Sequence, residues 1–370
     1  MLKIAAITFH GAHNYGSMLQ AYALQTFVEK IAKEEGKEIS YDILNFRTDF
    51  QKNLYKPKAI RSIKDLIKKL MTLPYSKKLN NQNLAFEAFL KNNLHTTREV
   101  NTLEELRVLA KNYDVIISGS DQIWNIRARD FSFAYLSDGV DCKKISYAAS
   151  LGPLDIDWSK YDAERYTELL KDYSAISLRE QRSKDMVDSL LGTKESEIHV
   201  DPTLLLSMDE WRKLQNETKE KQGEYILFYC LEPQKNHLRI AKQLSKKMGI
   251  PVVATKYRNK TDYFNPFIKR YDAGPKDFLS LIDNAAAVVT SSFHGTVFSL
   301  IYGKPFICID GLSDGRISTL LHLTGAEKNC FSQDTIDITL PISPNMEKVE
   351  NAIDTERERS REYLKKEIGI

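Results

Sequence analysis

The sequence predicts an α/β protein built from two Rossmann-like domains facing a cleft. Short apolar strand patterns alternate with amphipathic helical stretches, which argues for largely parallel sheets. The same grammar restarts after a nearly all-polar stretch, Arg212 to Gly223. A length of 370 residues suits two domains.

In the first half the expected strands are Leu2–Phe9, Ser40–Phe46, Tyr113–Ser118, Lys144–Ala149 and Ala175–Leu178. Among the intervening helices the clearest is Met18–Glu35, where Leu19, Tyr22, Ala23, Phe27 and Ile31 share one face. In the second half, strands are expected at Tyr225–Cys230, Val252–Thr255, Ala287–Thr290 and Pro305–Ile309. Helices fit His237–Met248, Lys276–Asn284, the stretch opening at His294, and Ile317–Leu323. The boundaries expected are 1–206 for the first domain, with a basic insertion at 50–80, then a polar linker 207–223. A second domain at 224–344 and a charged helix over 345–370 follow. Domains of this kind bind ligands beyond the carboxyl ends of their strands.

Composition excludes several classes. The 42% hydrophobic and 28% charged shares fit a globular protein rather than a disordered one. A net charge of +3 does not favour nucleic acid. The four cysteines lie far apart with no Cys-x-x-Cys, which argues against a disulfide framework and structural zinc. No cofactor or metal site is read from the sequence. The N-terminus reads as a strand rather than a signal peptide, and no apolar run is long enough to span a membrane. A cytoplasmic protein is expected.

The most informative stretch is Val288 to Ile301, a buried strand, a turn of small hydroxyl residues, and a helix opening at His294. Backbone N–H groups at such a helix start, with Ser291, Ser292 and Gly295, suit a phosphate or carboxylate. Histidine is the side chain best placed to move a proton near neutral pH. An anion site and a proton donor together suggest group transfer from a phosphorylated donor. The alternative for His294 is a satisfied structural histidine.

Three further strand ends carry polar turns. His10 to Ser17 includes Asn14, Tyr15 and Gly16; Gly11 and Gly16 have P-loop spacing, but no lysine follows. Asp121, Gln122 and Asn125 can hydrogen-bond sugar hydroxyls and Trp124 can stack on a sugar face; the competing reading is a capped turn with Trp124 in the core. Arg179 can clamp an anion bidentately, or form a salt bridge with Glu180 or another acid. Arg316, in the turn Asp310 to Arg316, can lie beside His294, or be an exposed turn residue. The segment 52–78 combines nine lysines and arginines with an apolar stripe, suiting either an anionic membrane surface or packing on its own domain.

In combination these motifs resemble the polysaccharide pyruvyl transferase family. The matching residues are Asn14-Tyr15-Gly16 with Leu19 to Leu24, Ser118 to Asn125, Ser146 to Gly152, Ser177 to Glu180, Asp201 to Leu205, Thr290 to Gly295, and Tyr302 to Pro305. The resemblance runs from about residue 1 to about 325 and implies a fold similar to GT-B glycosyltransferases. It implies phosphoenolpyruvate as donor, a pyruvate ketal formed on sugar hydroxyls of a cell-surface or exopolysaccharide precursor, and a lipid-, nucleotide- or polymer-linked acceptor. By motif, His294 matches the family's catalytic histidine and Arg179 a donor-binding arginine. Family members with a Ser-Arg-x-His motif carry arginine where this chain has Ser292, and Arg316 is the candidate replacement cation. A nucleotide-sugar glycosyltransferase and a non-catalytic glycan- or phosphate-binding homologue are the alternatives.

Overall fold

The computed structural model describes residues 1–54, 62–217, 220–255 and 265–370. Lys56, Lys58, Ile60 and Arg61 of the basic stretch, and Thr218 and Lys219 of the polar one, lie outside those residues. The chain divides into two compact units, one of residues 1–56, 90–206 and 353–370, the other of 57–89 and 207–352. Residues 62–80 of the stretch 50–80, read as an insertion in the first domain, thus cluster with the second unit.

The first unit holds strands β1 (Leu2–Ile7), β2 (Ile39–Ile43), β3 (Val115–Ser118) and β4 (Lys143–Ser146) in a parallel sheet ordered β2-β1-β3-β4. Single bridges Ile145–Ala175 and Ala149–Leu178 lead on to β5 (Ser177–Leu178), which pairs with β6 (Glu197–Ile198). The helices are α1 (Tyr15–Glu34), α2 (Asp49–Leu54), and, after the second unit's α3 (Ile63–Thr72) and the shared α4 (Ser76–Asn93), α5 (Leu103–Ala110), α6 (Ala163–Lys171) and α7 (Gln181–Leu191). Asn14 starts α1 by accepting the Gly16 N–H at 2.9 Å, and the burial of Leu19, Ala23, Phe27 and Ile31 follows the expected face. One core cluster gathers Ile116, Trp124, Tyr135, Tyr166 and Leu170.

The second unit is a six-stranded parallel sheet ordered β12-β11-β10-β7-β8-β9. Its strands are β7 (Ile226–Tyr229), β8 (Val252–Ala254), β9 (Ile268–Lys269), β10 (Ala287–Thr290), β11 (Phe306–Ile309) and β12 (Cys330–Phe331). β7, β10 and β11 are buried at every position, as central strands covered on both faces must be. The helices are α8 (Met208–Leu214), α9 (Lys235–Met248), α10 (Pro275–Asp283), α11 (Phe293–Ile301) and α12 (Gly315–Thr324). α13 (Met346–Ile368) starts in this unit and ends in the first.

The start of the stretch read as a linker is helical. Ser207 and Glu210 form a capping box, and Trp211 buries itself edge-on to Phe298 at 5.1 Å. In each unit the strand order reverses once, between β1 and β3 and between β7 and β10. Loops leaving strands at such reversals are where open α/β sheets hold ligands.

Candidate functional site

In the first unit the polar turns after β1, β3, β4 and β5 interlock. Ser17 of α1 donates to Asp121 Oδ2 at 2.6 Å, and Gln20 donates to Thr8 Oγ1 at 2.8 Å while accepting the Ser120 N–H at 3.2 Å. Asp121 caps its own turn by accepting the Gln122 N–H at 2.8 Å, and Asn125 donates to Gln122 Oε1 at 3.1 Å. Asn14, Tyr15, Gly16, Asp121, Gln122 and Asn125 therefore share one end of one sheet. Trp124 does not join them. It is fully buried, donates from Nε1 to Tyr135 O at 3.0 Å, and packs edge-on to Tyr173. The indole fills the core because its single donor finds a backbone carbonyl there, so stacking on a sugar is excluded for it.

Of the two sequence readings for Arg179, the structure shows the salt bridge to neighbouring acids. The residue is 4% exposed and donates from Nη1 to Asp201 Oδ2 at 2.7 Å, with Glu180 Oε2 at 3.6 Å and Asp121 Oδ1 at 3.9 Å from its other nitrogens. Burial works against its charge, yet Asp201, Glu180 and Asp121 together hold its pKa above the ordinary arginine value. Glu180 in turn accepts from Ser150 at 2.7 Å and from Ser183. One guanidinium facing three carboxylates is a tie between loops, not an open clamp for an anion. Ser17, Gln20, Ser120 and Asp201 also belong to this network; the sequence motifs contain them but gave none of them a role of its own. Their signal is contact across 100 or so residues, which spacing does not reveal.

A second cation at this sheet end went unnoticed in the sequence. Arg47 follows β2 and lies against Gly11, where an added Cβ would overlap its Nε and come 2.8 Å from its Cδ. Glycine there is what lets the guanidinium approach the backbone. The Arg47 Nε is buried without a hydrogen-bond partner among the described residues. Beside it His10 bridges Thr8 O and Asn45 Oδ1, both at 3.0 Å, and burial lowers its pKa.

In the second unit β10 ends at Thr290, whose hydroxyl donates to Tyr229 O at 2.6 Å and accepts the Ser292 N–H at 3.0 Å. Ser292 is the N-cap of α11 with extended backbone, and its side chain makes no capping bond. Its hydroxyl thus leaves the first-turn N–H groups to other acceptors. His294 is the second residue of the helix, 7% exposed, and meets Phe293 edge-on at 5.1 Å. At Gly295 a Cβ would overlap Thr290 Oγ1, so glycine lets the helix start close against the strand. Ser291, Ser292, His294 and Gly295 are thereby brought together at the reversal between β7 and β10. The helix dipole adds partial positive charge there. Arg316 contributes less than expected: it folds onto Asp314, donating from Nε at 2.9 Å and from Nη2 at 2.5 Å. Its charge is offset by the N-cap of its own helix.

Among the described residues, no helix is long and apolar enough to cross a membrane. Two parallel Rossmann-like sheets, each with polar loops at its strand reversal, define an α/β protein of the GT-B type. Solved structures share that architecture: a protein described as a UDP-N-acetylglucosamine 2-epimerase from Listeria monocytogenes matches with a TM-score of 0.51 at 11% identity, over 98% of this chain and 90% of that one. The UDP-GlcNAc 2-epimerase of Neisseria meningitidis bound to UDP-GlcNAc matches with a TM-score of 0.50 at 12% identity, over 100% of this chain and 94% of that one. At such identities the likeness is one of fold. No protein of curated function matches the chain in sequence. The model of the polysaccharide pyruvyl transferase family matches residues 14–313, and the chain belongs to that family.

Proposed function

We propose that the protein transfers pyruvate from phosphoenolpyruvate to sugar hydroxyls of a glycan precursor and closes it as a ketal. The observation that carries this reading is the family match across 14–313 together with a buried histidine at the start of α11. Phosphoenolpyruvate carries a carboxylate and a phosphate, which the first-turn N–H groups of α11 and the hydroxyls of Ser291 and Ser292 suit. Protonation of its methylene carbon makes an oxocarbenium-like centre at the neighbouring carbon. An acceptor hydroxyl attacks there, giving up its proton; phosphate then leaves, and a second hydroxyl closes the ketal. In this scheme His294 is the general acid, either for that carbon or for the departing phosphate.

The acceptor is assigned to the first unit, where Asn14, Asp121, Gln122 and Asn125 offer hydrogen bonds for a polyol. Arg47 suits an anionic linkage on a nucleotide- or lipid-linked acceptor. Arg179 acts through Asp121 and Asp201 as a positioning residue. The protein works in the cytoplasm and meets the inner membrane face through α3, whose Leu66, Ile67 and Leu70 are 44%, 45% and 59% exposed beside Lys69.

The test is turnover of phosphoenolpyruvate with a panel of glycan acceptors, read as phosphate release and as a pyruvylated product by mass spectrometry. Calorimetry with UDP- and GDP-sugars runs in parallel. Phosphate release that depends on acceptor supports the reading. Tight binding of a nucleotide sugar with none of phosphoenolpyruvate replaces it with glycosyl transfer.

A further inference from the structure

The second unit carries thiols that pyruvyl transfer does not use. Cys308 in β11 and Cys330 at the start of β12 are direct partners on neighbouring parallel strands. Cys308 is fully buried, whereas Cys330 is partly accessible. The Leu312 N–H donates to Cys330 Sγ at 3.3 Å, and Thr296 of α11 donates to Cys308 Sγ at 3.4 Å. Strands about 4.8 Å apart put such partners within the Cα separation of roughly 4.4–6.8 Å that a disulfide spans. β12 is a two-residue edge strand, so it can adjust to the bond.

The two thiols have unequal chemistry. The Cys308 thiol, then the backbone N–H groups of Leu312 and Gly311, stabilise the Cys330 thiolate and bring its pKa down to about 7. Cys308 is pushed well up, first by its contact with Cys330 and then by burial. Cys142, in the first unit, is raised by burial. A thiolate is the form that peroxides oxidise, so reactivity concentrates on one sulfur with a second beside it.

We propose that Cys330 and Cys308 form a reversible intramolecular disulfide driven by hydroperoxides, Cys330 reacting first and Cys308 resolving it. The Cys330 thiolate attacks the peroxide O–O bond, becoming a sulfenic acid as the other oxygen leaves as water or alcohol after taking up a proton. The Cys308 sulfur then attacks the sulfenic sulfur, the S–S bond forms, and water departs with the Cys308 proton. Two thiols are oxidised and one peroxide is reduced. A cellular dithiol reverses the step by exchange. This site stands independently of the proposed transfer reaction.

The experiment titrates the reduced full-length protein with hydrogen peroxide, blocks remaining thiols, and maps the products by mass spectrometry. The expected result is a Cys308–Cys330 cross-linked peptide at doses that leave Cys142 and Cys230 alkylatable, reversed by dithiothreitol. In Cys308→Ser the product becomes a dimedone-trapped sulfenic acid on Cys330. Alkylation of the unaltered protein by iodoacetamide supplies a reading free of folding effects: at pH 7 Cys330 should react about tenfold faster than Cys142. Prior oxidation of Cys142, progression of Cys330 to sulfinic acid without a cross-link, or equal alkylation rates would each overturn the proposal.

Discussion

Gly295→Ala isolates the contact that sets His294 at the end of β10. The new methyl group would overlap Thr290 Oγ1 and lie 2.9 Å from Thr290 Cβ and 3.1 Å from Tyr229 Cδ1. Overpacking of this kind costs about 1–3 kcal/mol. Turning Thr290 away would sacrifice its bonds to Tyr229 O and the Ser292 N–H, about 1 kcal/mol each. Alanine in a helix returns at most about 1 kcal/mol. The variant should therefore be roughly 2–4 kcal/mol less stable, a fall in melting temperature of about 3–5 °C for a chain of this length. Phosphate release should fall further than the folded fraction does, because the start of α11 is displaced. Adding Thr290→Ala removes the obstructing hydroxyl, so the double variant should be at least about 1 kcal/mol more stable than the two single losses added together. Strict additivity in chemical denaturation would refute the proposed clash, and unchanged stability of Gly295→Ala would refute the packing argument altogether.

Three further outcomes follow from the same geometry. Arg179→Met leaves Asp201, Glu180 and Asp121 without their cation and should cost about 3–5 kcal/mol of stability; a stable variant that has lost only affinity for phosphoenolpyruvate would restore Arg179 as a donor ligand. Burial lowers the His199 pKa to about 4, so the unfolded chain takes up its proton first as pH falls below 6.5. Stability from this group is then complete above pH 6.5 and declines between pH 6.5 and 4 by about 3 kcal/mol at most, a slope that His199→Gln should flatten in pH-dependent denaturation. Flotation with vesicles of 30% anionic lipid (roughly the charge density to which such helices respond) should carry the protein upward at low salt, and Lys69→Glu with Leu70→Glu should abolish it; equal flotation with neutral vesicles would contradict an electrostatic contact.

Much of the fold was legible because parallel α/β architecture writes itself as alternating apolar runs and 3.6-residue stripes. β10 matches its expected span of Ala287–Thr290, and most other expected elements differ by one to three residues at their ends. The strands β6, β9 and β12 were missed since two-residue strands leave no periodicity to read. Ser291, Ser292, His294 and Gly295 lie together because chain neighbours at a strand–helix junction stay neighbours in space. For Trp124 and Arg179 the sequence left two readings open for the opposite reason. Whether an indole or a guanidinium faces solvent depends on partners far along the chain, Tyr173 for one and Asp201 for the other. Arg47 escaped notice because its position against Gly11 comes from pairing of β1 with β2, not from any local motif.

The proposed role of His294 as proton donor in a phosphoenolpyruvate-dependent transfer is open to one decisive measurement: initial rates of phosphate release with His294→Ala, at saturating donor and acceptor. The expected loss is about 10²–10⁴-fold in kcat with melting temperature and donor affinity nearly unchanged. Turnover at the rate of the unaltered protein would contradict the assignment.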